Sequence, residues 1–403
     1  MKKILLVSQY FYPENFRVND IAFSLKKRGY DVDVLTGLPN YPKGKLYPGY
    51  HFFRKRKEII QGVKIYRLPI FLRHQNPISL ILNYVSFVIY GWFWKTLSSK
   101  KYDLVFSVEV SPMTQILPAI WIAKKQKIPV ITYIQDIWPE SIMMVKPDLR
   151  PLIKKRLYKL SRYIYNNVDH ILVPSPATVS WIRKHNQDVR IDYWPQYSES
   201  FYKPLVFQKE TKPFILMFTG NIGSSQGLDS ILQAIGLIKD RITPSSFQFH
   251  LVGDGRDKDR LIAFSDSLGI QDFIQFIPAV EPEKIPEMLA KAHMGYLSFS
   301  DNPLFNAVIP AKLQSYLACG IPTLVFAKGE SARIIEEAKA GIVVNPKTLD
   351  SLADQLLNLI GLDGKELNDW GQNARFYAEK HFDKEYLLDW FEETVLKGKN
   401  HDI

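Results

Sequence analysis

The feature that most restricts the fold is a rhythm. Short apolar runs alternate with amphipathic stretches from the first residues onward, and the pattern breaks off once and starts again. Apolar runs of strand length separated by helix-length segments describe a parallel sheet covered by helices. Strands are predicted at 4–8, 31–36, 104–107, 130–135 and 170–173, with helices at 19–28, 78–99, 113–125 and 152–166. Periodicity then fails over a Pro- and Tyr-containing stretch, 193–204, which reads as a linker. The same alternation resumes, with strands at 214–219, 247–252, 274–277, 294–297, 323–326 and 341–344 and helices at 228–238, 258–268, 311–319, 331–338 and 349–360. At 403 residues the chain is long enough for two doubly wound α/β units, 1–200 and 201–375, followed by an amphipathic terminal segment, 376–403. Ligands of such sheets bind at the carboxyl ends of the strands, so two facing Rossmann-like domains would hold a site in the cleft between them.

Charge divides along the same line. Residues 1–200 carry 31 Lys and Arg against 14 Asp and Glu, a net +17, whereas residues 201–403 are net −6. The first half is thus suited to an anionic partner: nucleic acid, a membrane surface or a phosphorylated ligand. No recognition motif for nucleic acid accompanies the charge. The one cysteine, Cys319, permits no intrachain disulfide and fits a reducing, cytoplasmic setting. The opening apolar run reads as a strand rather than a signal peptide, because Ser8, Gln9 and Pro13 interrupt it. Residues 78–94 are apolar but contain Asn83 and sit at the short edge of bilayer-spanning length, so a buried or interfacial helix is expected rather than a span. Arg54, Lys55, Arg56, Lys57 and Arg73 lie upstream, which suits contact with anionic lipid; a core helix beside a solvated basic loop is the alternative.

The strongest local signal is the loop from Gly220 through Asn221, Gly223 and Gln226 to Gly227, between a predicted strand and a predicted helix. Glycines admit a ligand close to the backbone, and a helix N-terminus offers free N–H groups to a phosphate, although a plain glycine turn has the same composition. It is not a P-loop, because Gly-Lys-Ser/Thr is absent. Lys312, just after Pro310, would lie near a helix N-terminus, where a cation is unfavourable unless an anion binds there or water solvates it. Gly253 with Asp254, and Gly329 with Glu330 and Ser331, supply two more strand-to-helix turns on the same sheet edge. In the first half, Glu14, Asn15 and Arg17 follow one strand, and Gln135 and Asp136 follow another. Such groups serve as acid, base or charge clamp, or as caps and turn residues.

Taken in order, these segments resemble the retaining glycosyltransferases of family 4, which have the GT-B fold, and within them the WbuB-like branch that builds bacterial surface polysaccharides. The resemblance rests on Tyr10 to Glu14, Thr36 to Pro42, Asp136 to Glu140, Gly220 to Gly227, Gly253 to Gly255, and Pro310-Ala311-Lys312 with Tyr316 to Gly320. It implies a nucleoside-diphosphate sugar, of the UDP type, held mainly by the second domain. Gly220, Asn221, Gly223, Gln226, Gly227, Lys312, Glu330 and Ser331 would face its diphosphate and sugar, and Gly253, Asp254, Ile277 and Pro278 its nucleotide. The first domain would hold a polyprenyl-diphosphate-linked acceptor near Glu14, Asn15, Arg17 and Gln135, with Asp136 orienting the attacking hydroxyl. It implies hexosyl transfer without metal or cofactor, at the inner face of the plasma membrane, for capsule, O-antigen or exopolysaccharide. It also implies a terminal helix that crosses back onto the first domain. The chain departs from the family where a loop arginine and lysine are usual, here Asn221 and Gln226. It departs again at the glutamate pair, here Ala307 and Ser315, and at a frequent histidine, here Gln135. A nucleotide-sugar epimerase and a non-catalytic sugar-nucleotide-binding partner are the rival readings.

Overall fold

The structure, a computed structural model, describes residues 2–74, 76–205, 212–346 and 348–398. It divides into two compact units, Met1–Tyr193 and Trp194–Ile403.

The first unit contains β1 (Lys3–Val7), β2 (Asp31–Gly37), β3 (Lys57–Ile60), β4 (Val63–Leu68), β5 (Leu104–Glu109), β6 (Val130–Ile134), β7 (His170–Val173) and β8 (Arg190–Tyr193). They form one sheet in the order β3-β4-β2-β1-β5-β6-β7-β8, parallel except for the β3–β4 pair. Ile4, Leu5, Leu6 and Val7 are fully buried, as a central strand covered on both faces requires. The helix α1 (Arg17–Lys27) buries Val18, Ile21, Ala22 and Leu25, a stripe at the spacing of one helix face. The β3–β4 hairpin occupies what the sequence presents as a basic loop. Its signal is weak because β3 is an edge strand with charged and exposed residues, held by the buried Arg67 bonding Glu58 across the hairpin (Nε to Oε1, 2.9 Å).

The second unit contains β9 (Phe214–Thr219), β10 (Phe247–Val252), β11 (Ile274–Ile277), β12 (Met294–Ser298), β13 (Thr323–Phe326) and β14 (Gly341–Val343), in the order β11-β10-β9-β12-β13-β14. All adjacent pairs are parallel. Leu216, Phe218, Phe249 and Tyr296 from the sheet join Ile231, Ile235, Leu352 and Leu356 from helices in one core. The stretch after Tyr193 is not a free linker. Trp194 is buried, donates its indole N–H to the Leu387 carbonyl at 2.9 Å, and packs 4.9 Å from the Phe391 ring. The division therefore falls between Tyr193 and Trp194 rather than after residue 200, and the terminal helices Gly364–His381 and Lys384–Trp390 belong to the second unit.

Candidate functional site

In the second unit, the carboxyl ends of β9 and β10 carry two turns pressed backbone to backbone. The Gly220 N–H donates to the Val252 carbonyl (2.9 Å), and the Ile222 N–H to the Asp254 carbonyl (2.8 Å). A Cβ on Gly253 would lie 1.9 Å from the Gly220 carbonyl oxygen, so only glycine admits this approach. The Gly253 N–H bonds the Ile277 carbonyl at 3.0 Å, which joins the third predicted strand end to the same edge. The loop does not run straight into a helix: a single 3-10 turn, Ser224–Gln226, intervenes, and Gly227 leaves it at φ +60° before α2 (Asp229–Ile238). The Ser298 hydroxyl holds the Gln226 carbonyl at 2.6 Å, and the Ser300 N–H holds the Ser225 carbonyl at 3.0 Å.

Lys312 comes from α3 (Ala311–Ala318), whose position is set by the buried Tyr316 hydroxyl accepting the Thr219 N–H at 2.9 Å. Its ammonium donates to Gln226 Oε1 and sits 3.7 Å from the Phe218 ring centroid. No carboxylate among the described residues pairs with it, and burial holds its pKa well below the ordinary lysine value. A cation without a carboxylate partner among the described residues, beside a glycine loop and a helix N-terminus, has the chemistry that suits a phosphate. Glu330 and Ser331 meet this edge differently. Glu330 accepts from Arg333 Nη2 at 2.9 Å, so its carboxylate is already paired, while the buried Ser331 hydroxyl has no hydrogen-bond partner among the described residues. A 320 Å³ pocket opens beside the loop between Gly227, Asp229, Ser300, Asp301, Asn306 and Lys328. Asp301, Asn306 and Lys328 were not singled out from the sequence; their one signal was position just beyond strands 294–297 and 323–326.

In the first unit, Glu14 is buried and its Oε1 accepts the Asn40 and Tyr41 N–H groups at 2.7 and 2.6 Å. Burial raises its pKa to about 7 despite these bonds. Asn15 is exposed, and Arg17 opens α1 close to the buried Tyr133. Asp136 Oδ2 accepts from the Ser111 N–H (2.9 Å) and hydroxyl (2.6 Å), and the Trp138 indole N–H bonds the same hydroxyl at 3.0 Å. Bonded to it is Glu109, a fully buried carboxyl that no sequence motif marks. Glu109 Oε2 accepts the Asp136 N–H at 3.2 Å, and burial first, then the Asp136 charge, lifts its pKa well above the carboxylate range. The Gln135 side-chain nitrogen is buried without a hydrogen-bond partner among the described residues. Tyr84 joins these groups: it hydrogen-bonds Tyr10 and feels the charges of Arg73 and Asp136.

The apolar segment is the helix Pro77–Leu97, capped by Asn76. It is not a core helix. Asn83, Ser86, Phe87 and Gly91 face inward, whereas Ile78, Ile81, Leu82, Val85, Ile89, Trp92 and Phe93 are exposed along one side. By length and composition it could cross a membrane, yet only 28% of its most apolar window is buried.

Comparison with known proteins gives these edges a context. The family described as "Glycosyl transferase 4-like domain" matches residues 15–195, and "Glycosyl transferases group 1" matches residues 204–376. The chain is 23% identical over 388 residues to WcaI of Escherichia coli (strain K12), named as a glycosyl transferase of colanic acid biosynthesis, covering 91% of this chain and 92% of that one. It is 25% identical over 286 residues to WbjE of Pseudomonas aeruginosa, named as a glycosyltransferase, covering 66% and 67%. Sucrose-phosphate synthase from Thermosynechococcus elongatus superposes with a TM-score of 0.74 at 14% identity, covering 99% of this chain and 100% of that one. WaaG, a glycosyltransferase involved in lipopolysaccharide biosynthesis, gives 0.68 at 14%, covering 98% and 100%. Anabaena Alr3699/HepE in complex with UDP-glucose gives 0.66 at 13%, with the same coverage. These superpositions fix the fold as GT-B.

Proposed function

Given that the chain belongs to the glycosyltransferases that join a 4-like domain to a group 1 domain, we propose that it transfers a hexosyl unit, with retention of anomeric configuration, from a UDP-type nucleotide sugar to a polyprenyl-diphosphate-linked saccharide. The product belongs to a bacterial surface polysaccharide, and the reaction runs at the inner face of the plasma membrane. The observation that carries this reading is Lys312, a cation without a carboxylate partner beside the Gly220 to Gly227 loop. Departure of a nucleoside diphosphate develops charge on its β-phosphate. In this reading Lys312, the loop amides and the N-terminus of α3 neutralise that charge, and no metal or cofactor is required. The same stabilisation favours an oxocarbenium-like sugar in the transition state. Asp136, held by Ser111, orients the acceptor hydroxyl, so catalysis consists of positioning and electrostatics. UDP as carrier is supported by the HepE complexes with UDP and UDP-glucose, and polysaccharide as product by the name of WcaI. Membrane attachment is supported by the apolar side of the helix Pro77–Leu97 and by the +17 charge of residues 1–200. The reading is tested by incubating radiolabelled nucleotide sugars with a lipid-linked acceptor and following label into the lipid fraction.

A further inference from the structure

One arginine of the basic set upstream of the apolar helix stands apart from the others in its surroundings. Arg73 sits on the strap between β4 and the helix Pro77–Leu97. Its backbone N–H bonds Asn40 Oδ1 at 2.8 Å, its Nη1 donates to the Tyr10 hydroxyl at 3.1 Å, and its guanidinium stands 5.0 Å over the Tyr41 ring. Tyr10 stacks on Phe16 at 4.9 Å, so the guanidinium is walled by rings that fix its plane. Among the described residues no carboxylate forms an ion pair with it, and the carboxyl group near Tyr10, that of Glu14, is engaged by the Asn40 and Tyr41 amides. An oriented, partly buried arginine without an ion-pair partner among the described residues is complementary to a phosphate.

The strap also binds this arginine to the exposed apolar helix. The Phe71 N–H donates to the Ser86 hydroxyl at 3.0 Å, and the Asn83 amide donates to the Phe71 carbonyl, so the strap is stitched to the helix face opposite Ile78, Ile81, Leu82 and Val85. Arg73 precedes the start of this helix by four residues, and a cation there together with the exposed apolar side suits an amphiphile with an anionic head and a long hydrocarbon chain.

We infer that Arg73 is the contact for the diphosphate of a prenyl-diphosphate lipid whose chain runs along the exposed side of the helix Pro77–Leu97. The inference rests on the proposed transfer to a lipid-linked acceptor and adds to it the residue that reads the linkage. It makes Arg73 a specificity residue: a saccharide on a diphosphate-linked lipid is preferred to the same saccharide on a neutral lipid ether.

The test uses the full chain and the variants Arg73→Gln and Arg73→Lys, which retain the backbone bond to Asn40. With both acceptors, the ratio of kcat/KM for the diphosphate-linked over the neutral one should fall about tenfold in Arg73→Gln, as the loss of a charge-assisted bond implies, and less in Arg73→Lys. An unchanged ratio, with folding verified by circular dichroism, overturns the inference. Calorimetry with farnesyl diphosphate and with inorganic pyrophosphate decides the matter independently of any sugar transfer. Farnesyl diphosphate should bind more tightly than pyrophosphate, and Arg73→Gln should weaken both. Equal binding of the two overturns the role of the helix, and binding that Arg73→Gln leaves intact overturns the role of the arginine. If wild-type protein transfers no sugar yet binds farnesyl diphosphate through Arg73, the function fails while this site stands.

Discussion

Two titratable residues shifted by desolvation carry opposite consequences. Burial lowers the Lys312 pKa, so the unfolded chain holds that proton more tightly than the folded protein, and the lysine opposes folding at every pH below its unfolded pKa. Lys312→Met should therefore raise Tm at neutral pH. The same replacement, or Lys312→Ala, should lower transfer about a hundredfold or more, the scale for removing one preorganised charge donor. Melting curves and turnover measured on one preparation check both; a variant that is less stable and fully active contradicts the assignment. Glu14 gives a pH signature. Its folded pKa of about 7 lies above the ordinary 4.5, so the folded state holds the proton more tightly, and stability falls as pH rises from about 4.5 through about 7, then levels off. Glu14→Gln keeps an oxygen for the Asn40 and Tyr41 amides and should remove the part of the Tm slope that lies in this window. Lys312 was legible in the sequence because a cation at a helix start conflicts with the dipole. Arg73 was legible only as one member of a basic set suited to anionic lipid, and Glu109 not at all: their partners, Tyr10 and Tyr41 for one and the Asp136 amide for the other, are assembled only by the fold.

At the scale of elements, the helix Pro77–Leu97 is inverted relative to a soluble amphipathic helix, with an asparagine and a serine inside and a stripe of large apolar residues outside. Gly91 permits this packing, since a Cβ there would lie 2.5 Å from Pro118. Sequence alone left this helix between core and interface, because composition records apolarity and not which side faces the protein. Its exposed stripe should enter a bilayer. Ile81→Glu with Val85→Glu, both on exposed positions, should reduce sedimentation with anionic vesicles about tenfold while leaving Tm unchanged, and wild-type binding should weaken as salt rises. Equal binding by the double variant contradicts this role. The strands joined by long crossovers were readable because buried parallel strands are apolar runs. The strands β3 and β8 were hidden, being edges whose residues are half exposed and charged.

At the scale of the whole molecule, two doubly wound units carry opposite charge, and both were legible in the repeated rhythm and the residue counts. The second unit sets backbone turns and one lysine at the carboxyl edge of its sheet; under the proposed function, local amides and Lys312 would hold a diphosphate where the net charge of that half does not. The first unit puts its positive charge beside an apolar helix side, in keeping with a lipid acceptor. The pocket beside the loop was not readable, since Asp301, Asn306 and Lys328 come from separate segments of the chain. The central claim is sugar transfer from a nucleotide sugar to a lipid. Its most direct measurement is a panel of radiolabelled nucleotide sugars incubated with a polyprenyl-diphosphate-linked saccharide, wild-type protein and Lys312→Ala. The account predicts that one UDP-sugar labels the lipid fraction with wild type and that the label nearly vanishes with the variant. No label from any donor, or equal label with both proteins, contradicts it.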